Sequence, residues 1–337
     1  PPSAALCQSE KKLGLYFNFY GLVWQSKEGS LEYAAKNKYR TDTLETTNQY
    51  TFVTPDFGWR PGFKLEAGYY LPFDNWDLKA NWTCYNGEIS NNKKHVNVEL
   101  VPGNNGVVPI QFVYYLAGSL TNVPRFEHAT GDLKIHFNSF DLDAGRYFWA
   151  GKRFSFRPYG GLKCGWIDQN YTVYYENSNL FQTGSQLFYI TSSVSRFKND
   201  SLGLGPKMGF EAKCHLKGNF QLLANGYFSL LPTRFNLKKV QTDLFNIVET
   251  GGAFHQFILK KKLHMLNPNI GLQLGFGYGG CFLTRYFLGL FLSYEMQYWW
   301  AQNQTLRFVS KENFALATPA RGDLQLHGLS AYIKFEF

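Results

Sequence analysis

The residues of this chain able to do chemistry are ionisable side chains spaced by two. Arg60, Lys64 and Glu66 share one parity, as do Asp77 with Lys79, Asp141 with Asp143, and Arg157 with Lys163; Lys207, Glu211 and Lys213 follow the same rule, with Glu295, Lys334 and Glu336 further on. Successive side chains of an extended chain point to opposite faces, so each set lies on one face of its own segment. Charges of both signs on a shared inner face either set a field that selects ions or pair and fill the space between them. Such chemistry is one of pore radius and lining charge, not of turnover.

Enzymatic chemistry has no local signature. The sequence contains no G-x-S-x-G, no H-E-x-x-H and no P-loop, and its seven His are dispersed, which leaves nucleophilic, zinc and nucleotide chemistry without a motif. His136 near Ser139 is the nearest imitation of the Ser and His of a lipid-cleaving barrel, and it reads as an ordinary polar pair near a loop end. Gly275, Gly277 and Gly279 imitate a dinucleotide loop. Glycines at alternate positions, however, lie on one strand face, where they leave space in a narrow barrel or permit curvature. The expectation is therefore a chain that is not an enzyme, with no catalytic residue, cofactor or metal site.

What must position the charges is a series of extended segments. From Leu202 to Leu216 the even positions are Leu202, Leu204, Pro206, Met208, Phe210, Ala212, Cys214 and Leu216, while the odd ones are glycine, Lys207, Glu211, Lys213 and His215. One face is wholly apolar and the other is glycine and charge, the period-two pattern of a strand. The pattern returns from Phe154 to Trp166 and from Ile270 to Phe282. Similar segments run from Gly14 to Lys27, Gly58 to Leu71, Trp76 to Cys84, Leu133 to Trp149, Phe220 to Leu230, Phe287 to Trp300 and His327 to Phe337. These make about ten strands of membrane-spanning length. Within Leu133 to Trp149 the apolar parity changes, from Ile135 and Phe137 to Phe140, Leu142 and Phe148, and a bulge near Asn138 would account for it.

Connections alternate in length. Pro72 to Asn75, Gly151 to Arg153, Lys217 to Asn219 and Leu283 to Arg285 read as tight turns, whereas residues 28–57, 88–130, 177–199, 232–265 and 301–322 read as long polar loops. Short turns on one side and long loops on the other predict an all-β, antiparallel, up-and-down transmembrane β-barrel with periplasmic turns and extracellular loops. Strand-like stretches within the loops, Leu187 to Phe197 and Asn246 to Leu259, would raise the count to twelve. Residues 1–13 read as an N-terminal periplasmic segment and 14–337 as the barrel. The first residue is Pro1 rather than Met, as in a processed or trimmed exported chain.

Composition agrees. There are 31 Phe, 22 Tyr, 8 Trp and 32 Gly, yet only 18% of residues are charged, and the mean hydropathy is −0.29. No soluble class fits that balance well. Bulky rings at the ends of the apolar faces, such as Trp59 and Tyr69 or Trp76 and Trp82, match aromatic girdles at two water interfaces. The net charge of +9 would draw anionic solutes, an acidic lipid surface or nucleic acid, and a barrel leaves no role for the last. Lys260, Lys261 and Lys262 form the one tight basic run and read as a solvated loop. Cys7, Cys84, Cys164, Cys214 and Cys281 are widely spaced, without a C-x-x-C pair. In an oxidising envelope they permit disulfide cross-linking within a chain or an oligomer, with Cys7, Cys214 and Cys281 all mapping to the short-turn side.

The last strand, Leu329 to Phe337, is apolar at every second residue back from the terminal Phe337. It is similar to the signal by which the outer-membrane assembly machinery recognises barrels. The stretches Gly58 to Phe63, Arg157 to Leu162 running on to Trp166 to Tyr171, and Gly203 to Pro206 with Gly209 resemble the major outer-membrane protein family of Legionella and its relatives in chlamydia-like bacteria. The resemblance runs from Gly14 to Phe337 and implies a pore-forming protein of the bacterial cell outer membrane, in contact with its lipid. The function to expect is a porin or small channel passing small hydrophilic solutes and ions by diffusion, lined by Arg60, Lys64, Glu66, Lys79, Asp141, Asp143, Arg157, Lys163, Lys207, Glu211, Lys213 and Glu295. The alternative is a structural or adhesive barrel whose outer loops bind other envelope or host components.

Overall fold

Alternating segments can bury their polar face from lipid only by closing on themselves, because an open sheet edge would leave backbone groups without partners in a bilayer. The computed structural model describes residues 14–42, 45–55, 57–88, 96–97, 106–109, 125–151, 153–178, 181–183, 186–247, 251–282, 286–308 and 317–337. Ten of its strands close a ring: β1 (Gly14–Glu28), β2 (Trp59–Tyr70), β3 (Trp76–Glu88), β4 (Phe126–Arg146), β5 (Phe154–Ser178), β6 (Gln186–His215), β7 (Phe220–Ile247), β8 (Gly251–Phe282), β9 (Tyr286–Phe308) and β10 (Ala317–Glu336). Each pairs antiparallel with the next. β10 returns to β1, from Glu336 opposite Tyr16 to Leu324 opposite Glu28. Smaller pieces attach to this ring, among them a hairpin of Ala34–Asp42 and Glu45–Val53 between β1 and β2.

The tight turns form as their residues dictate. Asp74 and Asn75 take φ of 55° and 56° within the connection between β2 and β3, the left-handed conformation that both central residues of a type I′ turn need and that Asp and Asn tolerate. Lys217–Asn219 forms a single 3-10 turn between β6 and β7. Leu283–Arg285 and Lys152 lie outside the described residues, as do residues 1–13 with Cys7 and the expected periplasmic segment, and the side chain of Cys281. Cys84, Cys164 and Cys214 are free thiols.

Four expectations need correction. Residues 177–199 and 232–265 are not irregular loops: β5 to β8 run on through them as tall hairpins. Leu187 to Phe197 and Asn246 to Leu259 lengthen these strands and add none to the ring. The run Lys260 to Lys262 therefore sits in β8, with Lys260 and Lys262 on the outer face and exposed. No bulge occurs at Asn138, which lies in unbroken register opposite Cys84 on β3 and Trp166 on β5. Odd residues of β4 face inward from Ala129 to Gly145. Leu133, Ile135 and Phe137 are buried inside, and so are Ser139, Asp141 and Asp143. What changes at Asn138 is the surroundings of each face, not the strand. The true irregularities fall between Ile190 and Ser192 and between Trp299 and Asn303.

The outer surface of the ring is an apolar belt. Along β8 it is formed by Tyr278, Phe276, Leu274, Leu272 and Leu266, all exposed, and along β6 by Met208, Leu204 and Leu202. Leu272 stands in the middle of its run and Leu204 close to the outer rim, where Arg234 follows opposite Leu202. Leu272→Arg is expected to destabilise the folded barrel by ~2–4 kcal/mol and Leu204→Arg by clearly less, since the cost of a lipid-facing cation depends on depth. Urea titration of both variants folded in lipid vesicles checks the ordering, and equal costs would contradict this placement of the belt.

Candidate functional site: the charged lumen

Inside the belt, inward-facing positions bring the charges together. Lys64 on β2 reaches across to Glu295 on β9 at 2.6 Å, past the two intervening strands β1 and β10. Lys79 on β3 contacts Glu211 on β6 and lies 3.7 Å from Glu66. Arg157 on β5 donates from Nε to Asp77 at 2.7 Å and from Nη1 to Glu211 at 3.4 Å. Lys163 and Lys207 share Asp141 at 3.1 and 3.0 Å, and Lys207 also meets Asp143 at 2.9 Å. Lys334 pairs with Glu336.

Neutral partners complete the set. Tyr16 donates to Asp77 at 3.0 Å, Asn18 to Glu66 at 2.6 Å and Gln273 to Glu295 at 3.0 Å. The ammonium groups of Lys163 and Lys207 each lie 4.8 Å from the centre of the Tyr227 ring, and that of Lys64 lies 4.8 Å from the Tyr20 ring, within the range of a cation–π contact. The ring of Tyr227 lies flat over Gly271, where a Cβ would sit 2.1 Å from the nearest ring carbon. Gly277 gives the same room to Phe291 and Gly279 to Phe287, while Gly275 lies against Ser293, so most of the glycine row leaves space for aromatic rings inside the wall.

Among the expected lining residues, Lys64, Glu66, Lys79, Asp141, Asp143, Lys207, Glu211, Lys213 and Glu295 surround one cavity of about 80 Å³. Arg157 and Lys163 are buried in its wall. Arg60 is not brought to this cluster: it stands nearer the outer end, opposite Trp24, and donates to the Glu88 carbonyl at 3.4 Å. His136 and Ser139 stand on opposite faces of β4. The imidazole points outward, within 2.8 Å of Asn86, while the hydroxyl is buried inside. Among the described residues no group of three or more His, Cys, Asp or Glu could hold a metal ion.

Sequence reasoning missed what lies above the charges. Trp24, Tyr85, Phe137, Ile167, Leu231 and Trp299 form a buried apolar layer inside the ring. Over it, β9 leaves its regular path: four steps along β9, Trp299 to Asn303, match two along β10, Leu324 to Gly322. Gln302, Asn303, Gln304, Thr305 and Leu306 are all buried in succession, so both faces of this segment are covered. It is held from the walls. Asn199 donates to the Gln302 carbonyl at 3.0 Å, Asn267 to its side-chain oxygen at 3.0 Å, and Lys239 to the Leu306 carbonyl at 3.2 Å. The signal available in the sequence was the apolar odd parity of Leu133, Ile135 and Phe137.

A closed antiparallel ring with an apolar outer belt and a charged interior is the architecture of an outer-membrane β-barrel. Residues 9–337 match the family model described as Legionella pneumophila major outer membrane protein precursor, and the chain belongs to that family. Its place is accordingly the outer membrane. None of the curated proteins matches it in sequence. Among solved structures it is similar to the outer membrane protease OmpT from Escherichia coli, at 8% identity and TM-score 0.34 over 97% of both chains. It is also similar to the Pseudomonas putida toluene transporter TodX, at 10% and 0.27 over 99% of this chain and 92% of that one. A Pseudomonas aeruginosa FadL homologue stands at 8% and 0.29 with the same coverage.

Removing one partner of a buried pair strands the other. Asp77 is fully buried against Arg157, so Arg157→Ala is expected to cost about 3–5 kcal/mol. Replacing Asp77 by Asn in the same chain should restore a large part of the loss. Urea unfolding of the single and double variants checks the coupling, and additive losses would show that the two side chains act independently.

Proposed function

We propose that this chain conducts ions and small hydrophilic solutes across the outer membrane by passive diffusion, along a narrow path lined by charge. One observation carries the reading: ionisable side chains of both signs face the interior through the depth of the apolar belt. Ionisable groups at membrane depth are costly, and in membrane proteins they mark ion and substrate pathways. Lys64, Lys79, Lys163, Lys207, Lys213, Arg157, Arg60 and Lys334 act in this reading as the cationic lining, against Glu66, Asp77, Asp141, Asp143, Glu211, Glu295 and Glu336. The two sets nearly balance, so the expected selectivity is a mild preference for anions. A passing anion exchanges with a carboxylate at Lys207 or Lys64 and is handed on, and no bond of the solute is made or broken. The terminal strand ending in Phe337 serves in the same reading as the segment taken up by the assembly machinery.

A second reading has its own observation. The apolar layer and the buried segment Gln302 to Leu306 cover the charged cavity on the side of the tall hairpins, as a structural or adhesive barrel closed to solutes would require. Planar-bilayer recording separates the two. The channel reading expects stepwise currents whose reversal potential across a salt gradient moves toward cation preference in Lys207→Gln. A protein that inserts, migrates as a folded barrel and stays silent would transfer the assignment to the closed barrel.

A further inference from the structure

Beyond the apolar belt, on the side of the tall hairpins, the outer faces of β6, β7 and β8 carry cations in register. Lys198 stands opposite Lys238, and Lys238 opposite Lys260. One outward row nearer the belt, Asn236 stands opposite Lys262, and in the next Arg234 stands opposite His264. All six titratable side chains are exposed. Like charges directly opposite on neighbouring strands are destabilising, so this grouping costs stability unless something anionic covers it. Among the described residues Asp200 forms the one ion pair with it, at 2.8 Å from Lys198, and the charge of Asp168, opposite Asp200 on β5, acts on the same ammonium. Further round the same height of the wall, by contrast, Lys134 is matched by Glu88 at 2.9 Å.

Position decides what would cover it. On the same face of β6, Lys198 and Asp200 are followed directly by Leu202, Leu204 and Met208, each strongly exposed. At ~3.3 Å per residue the cations thus begin within roughly 20 Å along the strand of fully lipid-facing side chains. A ligand with phosphates above and acyl chains below would meet both chemistries at once, whereas a soluble polyanion would use the cations alone. We propose that this face binds the phosphate groups of an anionic glycolipid of the outer leaflet, held by Lys198, Arg234, Lys238, Lys260 and Lys262. The lipid's chains then lie along the belt below. The assignment rests on the outer-membrane location and is independent of whether the lumen conducts.

The test is a titration of the full-length barrel in detergent micelles with purified phosphorylated lipopolysaccharide, with its dephosphorylated form, and with inorganic pyrophosphate. The triple variant Lys238→Gln, Lys260→Gln, Lys262→Gln is expected to bind the phosphorylated glycolipid about 100-fold more weakly than the wild type. The matching triple Lys→Arg variant should retain binding, and the dephosphorylated lipid should bind the wild type as poorly as the Gln variant binds the intact one. Added salt should weaken binding to the wild type, a reading that does not depend on any variant folding. Equal affinity of wild type and Gln variant, or binding indifferent to salt, overturns the site. Pyrophosphate binding as tightly as the glycolipid overturns the lipid assignment.

Discussion

Pairing of β10 with β1 closes the sheet, and the rest of the molecule depends on it. A strand edge in lipid leaves backbone donors and acceptors with neither water nor partner, and the ladder from Glu336 opposite Tyr16 to Leu324 opposite Glu28 removes that edge. Once the ring is closed, parity has a fixed meaning. Every residue is either inside or outside, and a change of one position along a strand exchanges lipid for lumen.

That meaning holds along the whole strand although the chemistry of the two faces reverses. At the level of the belt, β4 shows Phe140 and Leu142 outside and Asp141 and Asp143 inside; beyond Asn138 it shows Lys134 and His136 outside and Leu133, Ile135 and Phe137 inside. The backbone needs no bulge to do this, because it is the outer medium that changes from hydrocarbon to water. Above the membrane the ring behaves as a small soluble β-barrel with an apolar core. Within the membrane the same ring is turned inside out.

This reversal sets what could be read from the residues. Lipid imposes one rule on every strand, so the ten strands, the outer belt and the inward parity of Lys64, Lys207 or Glu295 were legible from alternation. Reading the apolar parity as always outward is what misplaced a bulge at Asn138, and reading polar outer faces as loops is what hid the upper parts of β6, β7 and β8. Pair partners were not legible at all. Lys64 and Glu295 are 231 residues apart, and which chord of the ring a side chain spans depends on shear, which no local pattern records. Arg60 shows the same limit: its parity points inward, but its height along β2 keeps it from the charged cluster.

The layers also explain why charge is tolerated where it lies. A buried pair replaced by well-packed apolar side chains of similar volume is often as stable or more so, and this chain builds such an apolar layer a few residues further up the same strands, at Trp24, Phe137, Ile167 and Trp299. The fold could therefore have filled its membrane-level interior with apolar side chains too. It holds Arg157 against Asp77 and Lys207 between Asp141 and Asp143 instead. The covering segment differs in kind. It is held by neutral hydrogen bonds, from Asn199 and Asn267 to Gln302 and from Gln302 to Ser201, each worth about 0.5–1.5 kcal/mol net, by the Lys239 ammonium on the Leu306 carbonyl and by its ladder with β10 from Asn303 onward. Interior charge that costs stability is thus kept at the level of the belt, beneath a layer in which the same strands turn apolar side chains inward.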